Sequence, residues 1–340
     1  MTDSIPEARL AEADRDGVFP EGFYATTNFE TDVRIGGVWV AVERPEMDVG
    51  VRVVRSAEGA RAESCPMHRA RAGDVFVVGD DGVRVRLPPR SQAEGEAFRF
   101  MSSGVSTERP KARLIADVAL AMKAARDKGE RVLFVGGPAI VHSGSAPMLA
   151  DLVHRGWIDV LFAGNALAAH DLEAAMYGTS LGVDLGRGES VPHGHQHHLR
   201  TINRVRRAGS IRAAVEQGLV SRGVMHACVT KPIPFVLCGS IRDDGPLPEV
   251  ITDAVAAADA MREHVAGVGA QEGKPIGVAV VVATTLHGVA TGNILPARVA
   301  TFCVDSDADT VIKLVDRGTH QAVGIVTDCE YFLSALTRAL

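Results

Sequence analysis

The residues with chemistry to offer cluster in short polar segments that follow apolar runs. Gly277–Ala283 is followed by Thr284-Thr285-Leu286-His287-Gly288, and the next apolar run, Val299–Val304, ends in Asp305. Asp305 stands 21 positions after Thr284. In dinucleotide-binding folds an acid about 20 positions beyond the phosphate loop accepts hydrogen bonds from the ribose hydroxyls. A carboxylate there repels the 2′-phosphate of NADP, so the spacing favours NAD. The loop is not GxGxxG; its hydroxyls and the N–H groups of a helix start would hold a pyrophosphate instead. The competing reading is that Asp305 caps the helix after it. A second segment, Gly239–Pro248, packs Arg242, Asp243, Asp244 and Gly245 into one loop. Either it is a salt-bridged turn, or Asp243 or Asp244 holds a cofactor hydroxyl or a substrate ammonium. A third, Val191–His198, carries His193, His195, His197 and His198. Zinc sites close with three or four ligands. No HExxH and no cysteine stands beside this run, so we expect no metal but solvated loop histidines or contacts to an anionic substrate.

The elements that must position these segments alternate. Glu108–Lys128 reads as a helix with Ile115, Val118 and Met122 on one face and Gly129 as its stop. Apolar runs follow at Val132–Val135, Ile158–Ala163, Phe235–Cys238, Gly277–Ala283, Val299–Val304 and Ala322–Val326. Between them lie helical stretches: one capped by Ser145 and stopped by Gly156, then Asn165–Tyr177, Ser210–Gln217, Ser221–Cys228, Asp253–Val265 and Ala308–Asp316, with a last helix closing the chain. Short continuous apolar strands alternating with helices predict a parallel sheet buried on both faces. The fold class expected is α/β: a Rossmann-like, doubly wound, mostly parallel sheet over residues 106–340. Such sheets bind ligands beyond the carboxyl ends of their strands. Here those ends are Gly136-Gly137-Pro138, Gly164-Asn165-Ala166, Gly239–Gly245, Thr284–Gly288, Asp305 and Asp328.

Residues 1–105 have a different texture and predict a small β-rich domain. Its runs are Gly37–Val42, Val49–Val54, Asp74–Val78 and Val83–Leu87, with Asp80-Asp81-Gly82 as a tight hairpin turn between the last two. Leu87–Ser91 and the residues to Glu96 read as a linker. No repeat and no low-complexity segment is visible.

Composition narrows the function. The chain has 340 residues, 46% hydrophobic and 23% charged, enough apolar material for a sizeable core and unlike a disordered chain. A net charge of −6 argues against a nucleic-acid partner, which needs a basic footprint. No run approaches the roughly 20 apolar residues of a membrane span. The acidic N-terminus lacks the apolar core of a secretory leader. Five scattered cysteines form no CxxC, so buried, reduced thiols in a cytoplasmic protein are expected.

Eight segments in order also resemble one family: GFYATTN (Gly22–Asn28), FMSSGV (Phe100–Val105), GGPAIVH (Gly136–His142), GNAL (Gly164–Leu167), YGTSLGVDL (Tyr177–Leu185), GHQHHL (Gly194–Leu199), GSIRDDGPLP (Gly239–Pro248) and GIVTD (Gly324–Asp328). From about Gly22 onward the chain resembles the archaeal-type ornithine cyclodeaminases. These are also described as the conserved domain of the lysine-oxoglutarate reductase/saccharopine dehydrogenase bifunctional enzyme. The chain is similar, too, to the C-terminal half of cyanobacterial arginine dihydrolase/ornithine cyclodeaminase proteins. The resemblance implies bound NAD and conversion of L-ornithine to L-proline with loss of ammonia. It implies NAD contacts from Asn165, Ala166, an acid of the Asp243-Asp244 pair, Thr284, Thr285, Leu286, His287, Asp305, Asp328 and Cys329. Family habit further implies a homodimer or homotetramer.

The implied chemistry is redox-neutral: hydride leaves Cα of ornithine, the δ-amine closes on the iminium, ammonia departs, and the hydride returns to the ring. A carboxylate is needed near the amino groups and a base must deprotonate the α-ammonium. Asp244 is the candidate for ammonium binding or proton transfer, and His142 and His287 for carrying protons. Two other functions fit the same residues. One is an NAD-dependent dehydrogenase or cyclodeaminase for another amino acid; the other is a non-catalytic subunit that binds NAD or an amino acid.

Overall fold

The computed structural model describes residues 6–56, 59–87, 110–192, 194–243, 245–267, 273–317 and 322–340, without the side chains of His195 and Arg317. The expected linker from Pro88, the FMSSGV segment beyond it, the boundary at 105 and the candidate Asp244 lie outside this description. The chain divides into two compact units, Met1–Phe100 with Gly292–Arg298, and Met101–Thr291 with Val299–Leu340.

The first unit is a seven-stranded sheet: β1 (Arg9–Glu12), β2 (Glu30–Ile35), β3 (Val38–Glu43), β4 (Gly50–Ser56), β5 (Gly59–Cys65), β6 (Val75–Val78) and β7 (Val83–Arg86). Their spatial order is β1-β6-β4-β5-β3-β2-β7. Only β3 and β5 pair in parallel. Val33, Val51, Val53, Ala62 and Val77 form its core. The expected hairpin around Asp80-Asp81-Gly82 does not form. β6 pairs with β1 and β4, whereas β7 lies at the far edge on β2. Side chains explain the choice. The apolar VFVV of β6 belongs inside the sheet, and the VRVR of β7 brings Arg84 and Arg86 to Asp32 of β2. Asp32 is 1% exposed, and Arg86 and then Arg84 hold its carboxyl below the ordinary range against the cost of burial. The return of Gly292–Arg298 to this unit has no signature in the sequence; Asn293 accepts from the Met47 N–H, and Ala297 donates to Asn28.

The second unit is the α/β fold. It opens with helix α1 (Lys111–Asp127), which buries Leu114, Ile115, Val118, Ala119, Met122 and Ala125 at helical spacing. The chain then runs through β8 (Arg131–Gly136), α2 (Ala139–His142), α3 (Ala146–His154), β9 (Val160–Gly164) and α4 (Asn165–Tyr177). A two-residue hairpin, β10 (Thr179–Ser180) and β11 (Val183–Asp184), leads to α5 (His197–Ala208), α6 (Ile211–Glu216) and α7 (Val224–Thr230). It finishes with β12 (Phe235–Cys238), β13 (Val250–Ile251), α8 (Ala254–Ala266), β14 (Ile276–Val282), α9 (Leu286–Ile294), β15 (Ala300–Asp305), α10 (Ala308–Arg317), β16 (Ala322–Val326) and α11 (Cys329–Ala339).

The sheet order is β13-β12-β9-β8-β14-β15-β16, with every pairing parallel. The chain starts at the centre, winds outward to β13, then returns to the other flank of β8 and winds outward again. This is a doubly wound Rossmann fold, and the order reverses between β8 and β14. Ser145 stands at the start of α3 without capping it; its hydroxyl pairs with that of Ser143 (2.7 Å). Ser210 does cap α6, accepting from the Ala213 N–H. Of the four-histidine run, His193 and the side chain of His195 lie outside the described residues; His197 and His198 are not in the loop expected but open a three-turn helix, half-buried.

Candidate active site

The reversal point is built from a close crossing of two strand ends. The Gly137 N–H donates to Val282 O (2.9 Å), and a Cβ on Gly137 would lie 1.7 Å from Ala283 O. Only glycine fits there. Ala283 in turn has φ +54°, a left-handed backbone that an alanine adopts at a cost. The next residue, Thr284, is buried, and its Oγ1 lies 3.2 Å from His287 Nδ1. The His287 ring covers the end of β9: a Cβ on Gly164 would meet His287 Cε1 at 2.8 Å. Burial lowers the His287 pKa, with Asp243 acting in the opposite sense, so the ring is neutral at pH 7.

Asn165 follows Gly164 and ties in a third strand end. It is 6% exposed, and its Oδ1 accepts from Leu247 N–H (3.1 Å) in the loop after β12. In that loop Asp243 Oδ2 accepts from Ser240 N–H (2.7 Å). Ala166 sits in the first turn of α4, whose N-cap is Gly164 and has no side-chain cap. The first N–H groups of α4 therefore face the carboxyl end of the sheet without a side-chain acceptor. Thr285 and Leu286 are exposed at the start of α9.

On the other flank stand Asp305 and Asp328. The helix after β15 is capped by Asp307, which accepts from Thr310 N (3.1 Å) and Thr310 Oγ1 (2.7 Å). Asp305 thus does not cap it; its Oδ1 accepts from Asp307 N–H (3.0 Å). Asp328 does cap α11, accepting from Tyr331 N–H (2.8 Å). Cys329 lies buried beside both acids: burial first, then Asp305 and Asp328, push its thiol up to about 11. It is an inert thiol.

His142 belongs to a separate group that the sequence reading did not assemble. Its Nδ1 lies 2.7 Å from Ser180 Oγ, and its ring is 4.8 Å from that of His170. Burial, then the neighbouring His170, lowers the His142 pKa. The His198 ring lies 5.8 Å beyond His170. Beneath them Glu173 is fully buried. Thr179 Oγ1 (2.8 Å) and Gly182 N–H (3.1 Å) donate to its Oε1; Leu181 N–H (3.2 Å) donates to its Oε2, and His170 Nδ1 is 3.1 Å from that same oxygen. Burial opposes its charge, but these hydrogen bonds outweigh it and hold the carboxyl below its usual range. His197 Nδ1 is 2.9 Å from Thr179 Oγ1, and its ring stacks on Tyr177. His170 and Glu173 are three apart on a helix buried nearly all round, a pattern that hides polar residues among apolar ones. The signal that points to their partners was present: YGTSLGVDL and GHQHHL supply Thr179, Ser180, His197 and His198. Among the described residues no group of three or more His, Cys, Asp or Glu is placed to hold a metal ion.

The fold defines a Rossmann-fold protein, and the β8/β14 reversal with the strand ends around it is its candidate ligand face. The chain belongs to the family described as arginine dihydrolase ArgZ-like, C-terminal. The Rossmann-fold region of that family matches residues 116–336, and its first region matches residues 30–115. A relative named ornithine cyclodeaminase, from Methanothermobacter thermautotrophicus, is 49% identical over 99% of this chain and 79% of its own length. A crystal structure of a conserved protein from Methanococcus maripaludis, assigned to the LOR/SDH group, is 44% identical with a TM-score of 0.90, covering 99% of this chain and 98% of that one. The ternary complex of AgrE with ornithine and NAD+ is 38% identical with a TM-score of 0.63, covering all of this chain and 46% of AgrE.

Proposed function

We propose that this chain is an NAD-dependent ornithine cyclodeaminase that converts L-ornithine to L-proline and ammonia. The observation that carries the reading is the position of Asp305. It ends the strand after the Thr284–His287 turn and is not spent on capping α10. That is the place of the ribose-binding acid in a dinucleotide fold. The glycines support it. Gly137 and Gly164 keep the strand ends free of Cβ atoms where backbone and His287 come close. Relatives named for this activity and the AgrE complex support it further.

Bound NAD supplies a hydride acceptor that later acts as the donor, which is why the net reaction needs no oxidant. This chain's residues do the rest. Asp305 accepts from ribose hydroxyls. The first N–H groups of α4, at Asn165 and Ala166, and of α9, after Thr284 and Thr285, take the phosphate charge. Asp328 and Cys329 line the same edge, and the exposed Leu286 offers an apolar surface. Asp243 shapes its loop and carries Asp244, to which we assign the substrate ammonium groups. His142 and His287, neutral at pH 7, take up and return protons.

One incubation tests the reading. Protein, NAD+ and L-ornithine are mixed; proline and ammonia are quantified while NADH is followed at 340 nm. Equimolar proline and ammonia with no net NADH is expected. Lasting NADH would instead establish a dehydrogenase, and no product would remove the reading.

A further inference from the structure

We infer that Glu173 is a positioning residue that fixes the tautomers of both His170 and His197, leaving each imidazole with an unprotonated Nε2 to accept a proton. The inference rests on the cyclodeaminase reading for the proton's source, and on hydrogen-bond arithmetic for everything else. An ionised carboxylate only accepts. Glu173 Oε2 faces His170 Nδ1, so that nitrogen must carry hydrogen. Glu173 Oε1 faces Thr179 Oγ1, so the single hydroxyl hydrogen of Thr179 points at the carboxylate. The Thr179 oxygen can then only accept from His197 Nδ1, which must also carry hydrogen. One buried carboxylate thereby sets two imidazoles, the second through a hydroxyl relay.

The function follows from the neighbours. His142, the proposed proton carrier, lies ring to ring with His170. When hydride leaves Cα, the α-ammonium becomes an iminium and sheds one proton. We assign that proton to the imidazole pair of His142 and His170. The charge it creates on His170 is balanced by Glu173, and the proton returns to the departing ammonia, so nothing is consumed.

The test is Glu173→Gln with 15N-histidine labelling. Long-range 1H–15N spectra at pH 8 report each tautomer, with signals assigned through His170→Asn and His197→Asn. The wild type should show Nδ1–H at both residues. The variant cannot fix both. If the amide NH2 faces His170, that ring must switch to Nε2–H; if it faces Thr179, the threonine hydrogen is freed and His197 is no longer held to Nδ1–H. Two rings still fixed at Nδ1–H in the variant overturn the proposal. Where the wild type makes proline, the variant should lose at least about tenfold in kcat, with KM for ornithine within about twofold. Unchanged kcat removes the proton-transfer role and leaves a structural one. A wild type that makes no proline fails the cyclodeaminase reading, while the spectra still decide the tautomers. If Glu173→Gln does not fold, Thr179→Val decides: His197 should lose its fixed tautomer and His170 keep its own, and an unchanged His197 overturns the relay.

Discussion

Gly164 owes its identity to one ring, since a Cβ there would meet His287 Cε1 at 2.8 Å. Gly164→Ala should push His287 off the end of β9 and away from Thr284, at a cost of about 1–3 kcal/mol in stability. Urea titration would read the stability loss, and proline formation should fall with it; an alanine variant with wild-type turnover would remove His287 from the site. Asp305→Asn keeps the shape and removes the charge. Its NAD+ affinity should fall about tenfold, roughly 1.4 kcal/mol, and its preference for NAD+ over NADP+ should narrow. Isothermal titration with both nucleotides checks this. At this scale the sequence was partly legible. Asp305 stood out because strand spacing is regular, and the structure places Asp307, two residues later, as the helix cap in its stead. His170 and Glu173 were illegible, because their partners lie across a hairpin and no spacing rule joins Glu173 to Thr179.

Elements are held in place by long-range caps. Asp171 on α4 accepts from Val224 N–H and Met225 N–H (both 2.8 Å) and so caps α7 from another helix. Gly223, at φ +101°, leaves room for it; a Cβ there would lie 2.7 Å from the carboxylate. Burial raises the Asp171 pKa to about 6, against the two backbone hydrogen bonds. The folded chain therefore holds this proton more tightly than the unfolded chain. Its contribution to stability is full below pH 4 and is lost as pH rises to about 6. Asp171→Ala should cost about 1–3 kcal/mol and flatten that part of the stability–pH curve. Denaturant midpoints from pH 4 to 7 for both proteins decide it. The elements themselves were largely legible where apolar runs were continuous: Asn165–Tyr177, Phe235–Cys238 and Ala322–Val326 have the bounds read from the sequence. Helix α5 was missed because His197-His198, Arg200, Arg204, Arg206 and Arg207 mask a narrow buried stripe of Thr201, Ile202 and Val205. Pairing in the first sheet was missed because the Asp-Gly turn signals a bend, not which strand is met after it.

In the whole molecule, double winding brings six strand ends to one edge of one sheet, although they come from positions as far apart as Gly136 and Asp328. Sequence alternation predicted that edge, since parallel strands joined by helices must share a carboxyl side. The five cysteines offer a way to watch it. All are buried and unpaired, and burial pushes Cys238 to about 11 and Cys303 to about 12. Thiolate is scarce in each, so a thiol reagent at pH 8 should label them only as the fold opens. Cys329 is the informative one, because it lies against Asp305 and Asp328, the edge to which a ribose of NAD is assigned. Cys65 lies in the core of the first unit, with Phe19, Ala70 and Phe76. Saturating NAD+ should slow labelling of Cys329 by the ratio of ligand to dissociation constant, about a hundredfold at 100 Kd. Where opening is local, Cys65 should be slowed less. Mass spectrometry of labelled peptides separates the two sites. Equal protection of both would mean that labelling reports global unfolding, and no protection of Cys329 would place the nucleotide away from the ends of β15 and β16.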